Sequence, residues 1–310
     1  MSLSLQLAQA RAAQVLRDGG IDTAALDARA LLRAATGLSF EALIVNGRAP
    51  LSPPSAERLE GYVARRLAGE PVSRIRGTRE FYGRDFKIDR NTLDPRPDTE
   101  TLVAAVLELA GSDGLLGKPL RLLDLGTGSG CILITLLVEL PEVAGTGTDI
   151  NPGALELARD NAAALGVADR AQFVVSDWFE GLTGRYEIIV SNPPYIASAE
   201  IAGLAPEVAR HDPLAALDGG ADGLDAYRSI AAAAPQFLAP GGALIVEIGY
   251  TQAESVADIF RAGGLIVADD NVRFDLAGRP RCVCAKFSQV TADLDRRCAK
   301  NMLGKSRCSG

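Results

Sequence analysis

Histidine and cysteine are scarce in these 310 residues: one histidine, five cysteines and a single tryptophan. One histidine cannot build a histidine-based metal centre, and no Ser, Cys or Asp pattern marks His211 as a triad member; it reads as a loop residue. The cysteines offer no second pair of ligands. Cys282 and Cys284 alternate on a strand-like run and so share one face, while Cys298 and Cys308 fall in a polar tail. Buried free thiols are the expectation for the first two. No stretch approaches the roughly 20 uninterrupted apolar residues of a membrane span. The start, Met1-Ser2-Leu3-Ser4-Leu5, has neither a positive n-region nor an apolar h-region, so no signal peptide and a cytoplasmic location are expected.

Positive charge is scarce where it would matter for nucleic acid. Residues 1–85 carry 12 Lys/Arg and 9 Asp/Glu, residues 86–287 carry 15 and 28, and the tail 288–310 carries 5 and 2. A central segment with a net charge of −13 is a poor holder of a phosphate backbone, which argues against DNA as a substrate. With 47% hydrophobic and 23% charged residues the chain is globular, long enough for a large domain and a small one.

The first 70 residues read as helices. Ala28, Leu31, Leu32 and Ala35 follow one helical face, as do Leu59, Tyr62, Val63 and Leu67. Asp22 or Thr23 is expected to cap the second helix, and Ser55, after a Pro-Pro break, a later one. Residues 81–88 suggest a short hairpin, and Asp98 is placed to cap the helix that follows Pro95-Arg96-Pro97. From about residue 120 strands and helices alternate, with strands at 121–125, 173–176, 188–191 and 243–248 and helices at 152–165 and 251–262. This is the pattern of a doubly wound α/β sheet. The run 143–149 is assigned as a strand from its position alone, since Gly145 and Gly147 weaken strand propensity. The expected organisation is a helical domain at 1–75, a hairpin linker at 76–97, an α/β domain at 98–287 and an untethered polar tail at 288–310.

Asp124-Leu125-Gly126-Thr127-Gly128-Ser129-Gly130 follows the first of these strands and opens a helix, and Asp149 lies 23 residues past Gly126 at the end of the next strand. Such a loop lets backbone approach a ligand, and the carboxylate can accept both ribose hydroxyls; both features suit NAD as well as S-adenosylmethionine. The spacing is G-x-G-x-G, not the G-x-G-x-x-G of a dinucleotide fingerprint. Asp177 and Trp178 end the third strand where an adenine ring would lie, the first to accept from its amino group and the second to cover its face.

At the fourth strand Ile188-Ile189-Val190-Ser191 runs into Asn192-Pro193-Pro194-Tyr195. Two prolines fix φ near −65° and donate nothing, so this turn presents carbonyl oxygens and the Asn192 amide. That is a set of acceptors for a planar N–H₂ group, with Tyr195 to pack against it, and suits methylation of an amine or amide nitrogen.

Together with Glu80-Phe81-Tyr82-Gly83, Pro95-Arg96-Pro97-Asp98-Thr99-Glu100 and Leu217–Leu224, these motifs resemble the HemK/PrmC family of protein-(glutamine-N5) methyltransferases, from the helical domain to about residue 287. Asn-Pro-Pro-Tyr is shared with N6-adenine DNA methyltransferases; the upstream Pro-Arg-Pro segment is the most discriminating piece. The resemblance implies a seven-stranded Rossmann-like S-adenosylmethionine-dependent methyltransferase fold with a reversed last strand and a small N-terminal helical domain for substrate recognition. It implies that Gly126, Thr127, Gly128, Ser129 and Gly130 wrap the methionine part of S-adenosylmethionine, that Asp149 holds the ribose and that Trp178 lies by the adenine. Asn192, Pro193, Pro194 and Tyr195 then hold the substrate glutamine, Asn192 being shared with the cofactor site. The implied substrate is the Gly-Gly-Gln glutamine of peptide-chain release factors; the alternatives are a glutamine of a ribosomal protein, an adenine in nucleic acid, or a non-catalytic binding protein keeping the cofactor fold. Asp94 stands where the family has an aliphatic residue, and a charge there is expected to loosen its loop.

Overall fold

The computed structural model describes residues 3–268 and 270–288. Residues 289–310, with Cys298, Cys308 and most of the expected polar tail, lie outside the described residues. Contacts divide the chain into two compact units, one of residues 1–79, 88–90 and 204–212 and one of the remainder. No helix among the described residues is long and apolar enough to cross a membrane.

The first unit is built on α1 (Leu5–Asp18), α2 (Ala24–Thr36), α3 (Phe40–Val45), α4 (Pro53–Leu67) and α5 (Val72–Arg76). Ala28, Leu31, Leu32 and Ala35 are buried as the periodicity requires, and Leu59 and Val63 join them, whereas Leu67, the last residue of its helix, is 41% exposed. The cap of α4 is Ser52, not Ser55: its hydroxyl accepts from the Ser55 N–H, and Pro53 and Pro54 occupy the first helical positions. A helix's first N–H groups have no intrahelical partner, so prolines there start a helix instead of interrupting it. Thr23 precedes α2 without any side-chain cap bond. Arg66 is buried on α4, 2.7 Å from the Asp27 carboxylate and 2.5 Å from Glu207.

β1 (Thr78–Phe81) and β2 (Arg84–Lys87) form the expected hairpin, beginning three residues earlier than the sequence suggested. Tyr82 and Gly83 both take positive φ, 52° and 73°, the conformation that matches a two-residue turn to strand twist.

The second unit continues with α6 (Glu100–Ser112), β3 (Leu120–Leu125), α7 (Cys131–Glu139), β4 (Val143–Asp149), α8 (Pro152–Ala164), β5 (Ala171–Val175) and β6 (Tyr186–Ser191). After α9 (Pro206–His211), which groups with the first unit and carries His211 as its last residue, come α10 (Asp225–Phe237), β7 (Leu238–Glu247), α11 (Ala253–Ala262), β8 (Val272–Phe274) and β9 (Pro280–Lys286). Seven strands form one sheet in the order β5-β4-β3-β6-β7-β9-β8, parallel except for β9, which runs against both neighbours. Both faces are covered. Leu122, Ile188, Val190 and Ile245 pack against α6 and α7, while Leu123, Ile189, Leu244 and Val246 pack toward α10 and α11. Cys131, Cys282 and Cys284 are buried free thiols in the first of these clusters.

β4 spans the full 143–149 despite its glycines. A Cβ at Gly145 would sit 2.5 Å from Leu133 of α7, so the glycine is what lets that helix lie close on the sheet.

β3 lies between β4 and β6, and successive connections leave it in opposite directions along the sheet. The crevice at the carboxyl ends of such strands is where open α/β sheets bind ligands. Register places Leu125 beside both Thr148 and Ser191, so the loop after β3, Asp149 and the turn after β6 open onto the same crevice.

Candidate active site

The loop after β3 is folded by its own sequence. Gly126, Gly128 and Gly130 have φ of 69°, 56° and 79°. The Thr127 N–H donates to the Thr148 carbonyl at 2.8 Å, and the Thr127 hydroxyl donates to Asp124 at 2.7 Å. Asp124 is fully buried, its Oδ1 accepts no bond among the described residues, and burial pushes its pKa up to about 7. The Asn161 amide donates to the Ser129 carbonyl at 2.9 Å and braces the far side of the loop.

Asp149 is tied to this loop. One carboxylate oxygen accepts from the Gly128 N–H and the other from the Asn151 N–H, each at 2.9 Å. Burial raises its pKa and these backbone donors oppose the rise. Each carboxylate oxygen keeps a second lone pair for a ligand hydroxyl.

A cavity of about 290 Å³ opens over these groups. Its wall includes Gly126 to Ser129, Asp149, Trp178, Asn192, Pro193 and Pro194; Gly130 starts α7 behind the loop and is not part of the wall. Trp178 is held at φ 50°, uncommon for a bulky residue, while its carbonyl accepts from the Ser176 hydroxyl at 3.0 Å. Asp177 also reaches the wall.

Of the Asn-Pro-Pro-Tyr turn, Tyr195 is the one residue absent from the wall of this cavity. Its ring packs on the hydrophobic cluster under α10 and α11, and burial pushes its phenol up to about 12, with the nearby Glu247 adding to the effect. Its carbonyl instead anchors the turn, accepting from the Gln252 side chain at 3.0 Å; the same Gln252 nitrogen reaches the Gly223 carbonyl at 3.2 Å. Gln252 was not marked by any sequence pattern. It precedes a helix like many polar residues, and its part shows only once β6 and α11 are neighbours.

The Leu217–Leu224 segment lies against the turn. Ile196 N–H donates to the Leu217 carbonyl at 3.0 Å and Gly219 N–H to the Ile196 carbonyl at 2.8 Å. Gly223 has φ 74°, and a Cβ there would stand 2.4 Å from the Tyr195 carbonyl. We expect Gly223→Ala to cost about 1–3 kcal/mol from the backbone conformation alone, and to displace the turn. A lowered thermal midpoint together with a reduced kcat is the expected outcome; unchanged values of both would show that the approach is not needed.

Asp98 does not cap a helix. It lies in a 3-10 turn over Pro97–Thr99 and pairs with Arg281 at 2.9 Å, and Thr99 precedes α6 without a side-chain cap bond. Pro97 keeps Arg96 extended, at φ −98° and ψ 143°, and the chain enters through the short 3-10 turn, so the α-helix starts at Glu100. Glu100 reaches back to accept from the Tyr82 N–H at 2.9 Å. Asp94 is packed in at 4% exposure.

Two family profiles match the chain, "PrmC N-terminal domain" over residues 8–77 and "Methyltransferase small domain" over residues 109–209. The chain is 49% identical to the release factor glutamine methyltransferase of Bradyrhizobium diazoefficiens, over 91% of its own length and 95% of the relative's. The chain belongs to the release factor glutamine methyltransferase family. It is also 50% identical to the enzyme of that name from Rhodospirillum rubrum, over 89% of this chain and 83% of the relative. A solved structure of the release factor-specific protein-(glutamine-N5) methyltransferase of Alicyclobacillus acidocaldarius is 29% identical, covers 66% of this chain and 99% of that one, and superposes with a TM-score of 0.39. The chain is an S-adenosylmethionine-dependent methyltransferase. The acceptors on Asp149, the bent-back backbone of the glycine loop and the indole of Trp178 are the groups that could hold that cofactor.

Proposed function

We infer that this chain methylates the side-chain amide nitrogen of the glutamine in the Gly-Gly-Gln motif of peptide-chain release factors. The observation that carries the reading is a pair of open acceptors. Asn192 and Pro193 line the cavity that also holds the glycine loop and Asp149, and no described residue donates to the Asn192 Oδ1 or the Pro193 carbonyl.

An amide nitrogen is a weak nucleophile because its lone pair is delocalised into the carbonyl. When bound, S-adenosylmethionine supplies a methyl group already strongly activated on a sulfonium, so alignment carries much of the remaining barrier. Asn192 Oδ1 and the Pro193 carbonyl would each accept one N–H of the substrate amide. They would fix its plane and favour the positive charge that grows on nitrogen. Prolines make this turn rigid before substrate arrives, and Gln252 fixes it from behind. No general base is needed before transfer: the C–S bond breaks as the C–N bond forms, S-adenosylhomocysteine leaves, and the cationic amide nitrogen then gives one proton to water. The net negative charge of residues 86–287 suits a protein substrate better than a nucleic acid.

Asp149 has the part of ribose acceptor in this reading. Asp149→Ala removes a charged acceptor and frees the Gly128 N–H, and should raise the cofactor Kd roughly tenfold to a hundredfold. Calorimetric titration with S-adenosylhomocysteine checks this; an unchanged Kd would remove Asp149 from the cofactor site. The substrate is tested by incubating the protein with S-adenosylmethionine and purified release factor and mapping the peptides by mass. A gain of one methyl on the Gly-Gly-Gln peptide is expected. Methyl found instead on a ribosomal protein or on DNA would overturn the assignment.

A further inference from the structure

An amide side chain can present either its oxygen or its nitrogen to a pocket, and only the oxygen of Asn192 can accept from a substrate N–H₂. The structure holds a device that selects between them. The Asn192 Nδ2 donates to the Thr99 hydroxyl oxygen at 3.2 Å. Thr99 is 2% exposed, and its hydroxyl is hydrogen-bonded to the carboxyl of Glu247, 1% exposed at the end of β7. A hydroxyl has one hydrogen to give. We propose that Glu247 and Thr99 are positioning residues for the reaction: the Glu247 carboxylate takes the Thr99 hydrogen, Thr99 can then only accept from Asn192, and the Asn192 oxygen is left facing the substrate. The proposal rests on the reading that Asn192 Oδ1 receives the glutamine amide.

Burial of Glu247 carries a cost that core packing does not explain. Its Oε2 accepts no bond among the described residues. The groups that act on it electrostatically come from every side: Arg281 and Cys282 on β9, Arg96 and Asp98 in the segment before α6, Tyr195 on the turn, Tyr227 on α10 and Cys131 on α7. Burial raises its pKa to about 7, against the pull of the Thr99 bond and of Arg281. Protonated Glu247 can donate to Thr99, whose own hydrogen is then free; an Asn192 amide that turns over to accept it presents its nitrogen, not its oxygen, to the substrate. Ionised Glu247 keeps the acceptor open. The direction follows: kcat should rise as pH passes upward through about 7, and Glu247→Gln, which cannot titrate, should flatten that limb.

The variants that decide the matter are Thr99→Val and Thr99→Ser, with release factor as substrate. Thr99→Val should lower kcat ten- to a hundredfold with the S-adenosylhomocysteine Kd within threefold, and Thr99→Ser, which keeps the hydroxyl, should stay within about fivefold of the parent. A Thr99→Val enzyme within twofold of the parent, or a serine variant as poor as the valine one, overturns the proposal. A readout free of turnover is the Asn192 side-chain amide in ¹⁵N-labelled full-length protein. Its resonances should shift with a midpoint near 7 and stay fixed in Glu247→Gln; resonances in the parent that ignore pH also overturn it. If the parent fails to methylate release factor, the functional reading falls, and the resonance still decides whether the relay exists.

Discussion

Asn192→Ala lowers kcat by roughly a hundred- to a thousandfold, about 2.7–4 kcal/mol in the barrier by analogy with the loss of one preorganised donor from an oxyanion hole. The cofactor Kd stays within a few-fold, because the loop, Asp149 and Trp178 are held by bonds that do not involve residue 192. KM moves less than kcat, since the bond to the amide strengthens as charge grows on nitrogen. The loss is not compensated from nearby. Pro193 and Pro194 have no side-chain acceptors, and the Thr99 hydroxyl, released from Asn192, stays committed to Glu247. Single-turnover rates with saturating cofactor, alongside a binding isotherm, separate the two effects. Near-normal turnover with intact binding would remove Asn192 from the reaction.

The second large effect concerns stability and lies far from the chemistry. Arg66→Leu should destabilise the helical unit by about 3–5 kcal/mol, because it leaves the Asp27 carboxylate buried without its partner. The loss is chiefly Asp27's; Glu207, the other partner, is 46% exposed and can turn to water. The double variant Asp27→Leu/Arg66→Met should recover most of the loss, since replacing both members of a buried pair by apolar groups removes the penalty along with the attraction. Urea unfolding of the three proteins checks both statements. A single variant whose midpoint matches the parent would mean that water reaches Asp27 freely.

Much of this fold was legible because its signals are local and redundant. The β3 loop follows an apolar strand, opens a helix and carries glycines where φ is positive, so three independent features agree. The hairpin was legible because Tyr82-Gly83 is flanked by alternating residues. What misled was capping. Ser55 and Asp98 are good cap residue types, yet the geometry around Pro53-Pro54 and Pro97 moved the helix starts, and a cap is defined by backbone angles that composition does not carry. Gly145 weakened a strand on propensity and turned out to serve it, because the close approach of Leu133 is a tertiary fact.

The candidate site divides the same way. Asn192 could be named because it follows an apolar run, and Asp149 because it lies at a fixed distance past the glycine loop, where a second strand was expected to end; strand ends of such sheets face the crevice. For Tyr195 the sequence offers a ring after two prolines and no sign of its backbone role: the half-buried ring packs against the hydrophobic cluster while the carbonyl anchors the turn. Gln252 and Glu247 carried no signal at all. A glutamine before a helix and a glutamate ending an apolar strand are ordinary until the strand order β6-β7-β9 brings them to the turn. Their importance comes from partners 57 residues away for Gln252 and on another segment, at Thr99, for Glu247.

The central claim is that a bond forms between a methyl carbon and a side-chain amide nitrogen held at Asn192 and Pro193. The most direct test uses S-adenosylmethionine labelled with ¹³C in its methyl group and purified release factor, followed by NMR of the isolated Gly-Gly-Gln peptide. The account predicts a single N-methyl amide signal that correlates with the glutamine δ-carbonyl carbon. A methyl signal on an ester oxygen, on a main-chain nitrogen or on another residue of the peptide would contradict it.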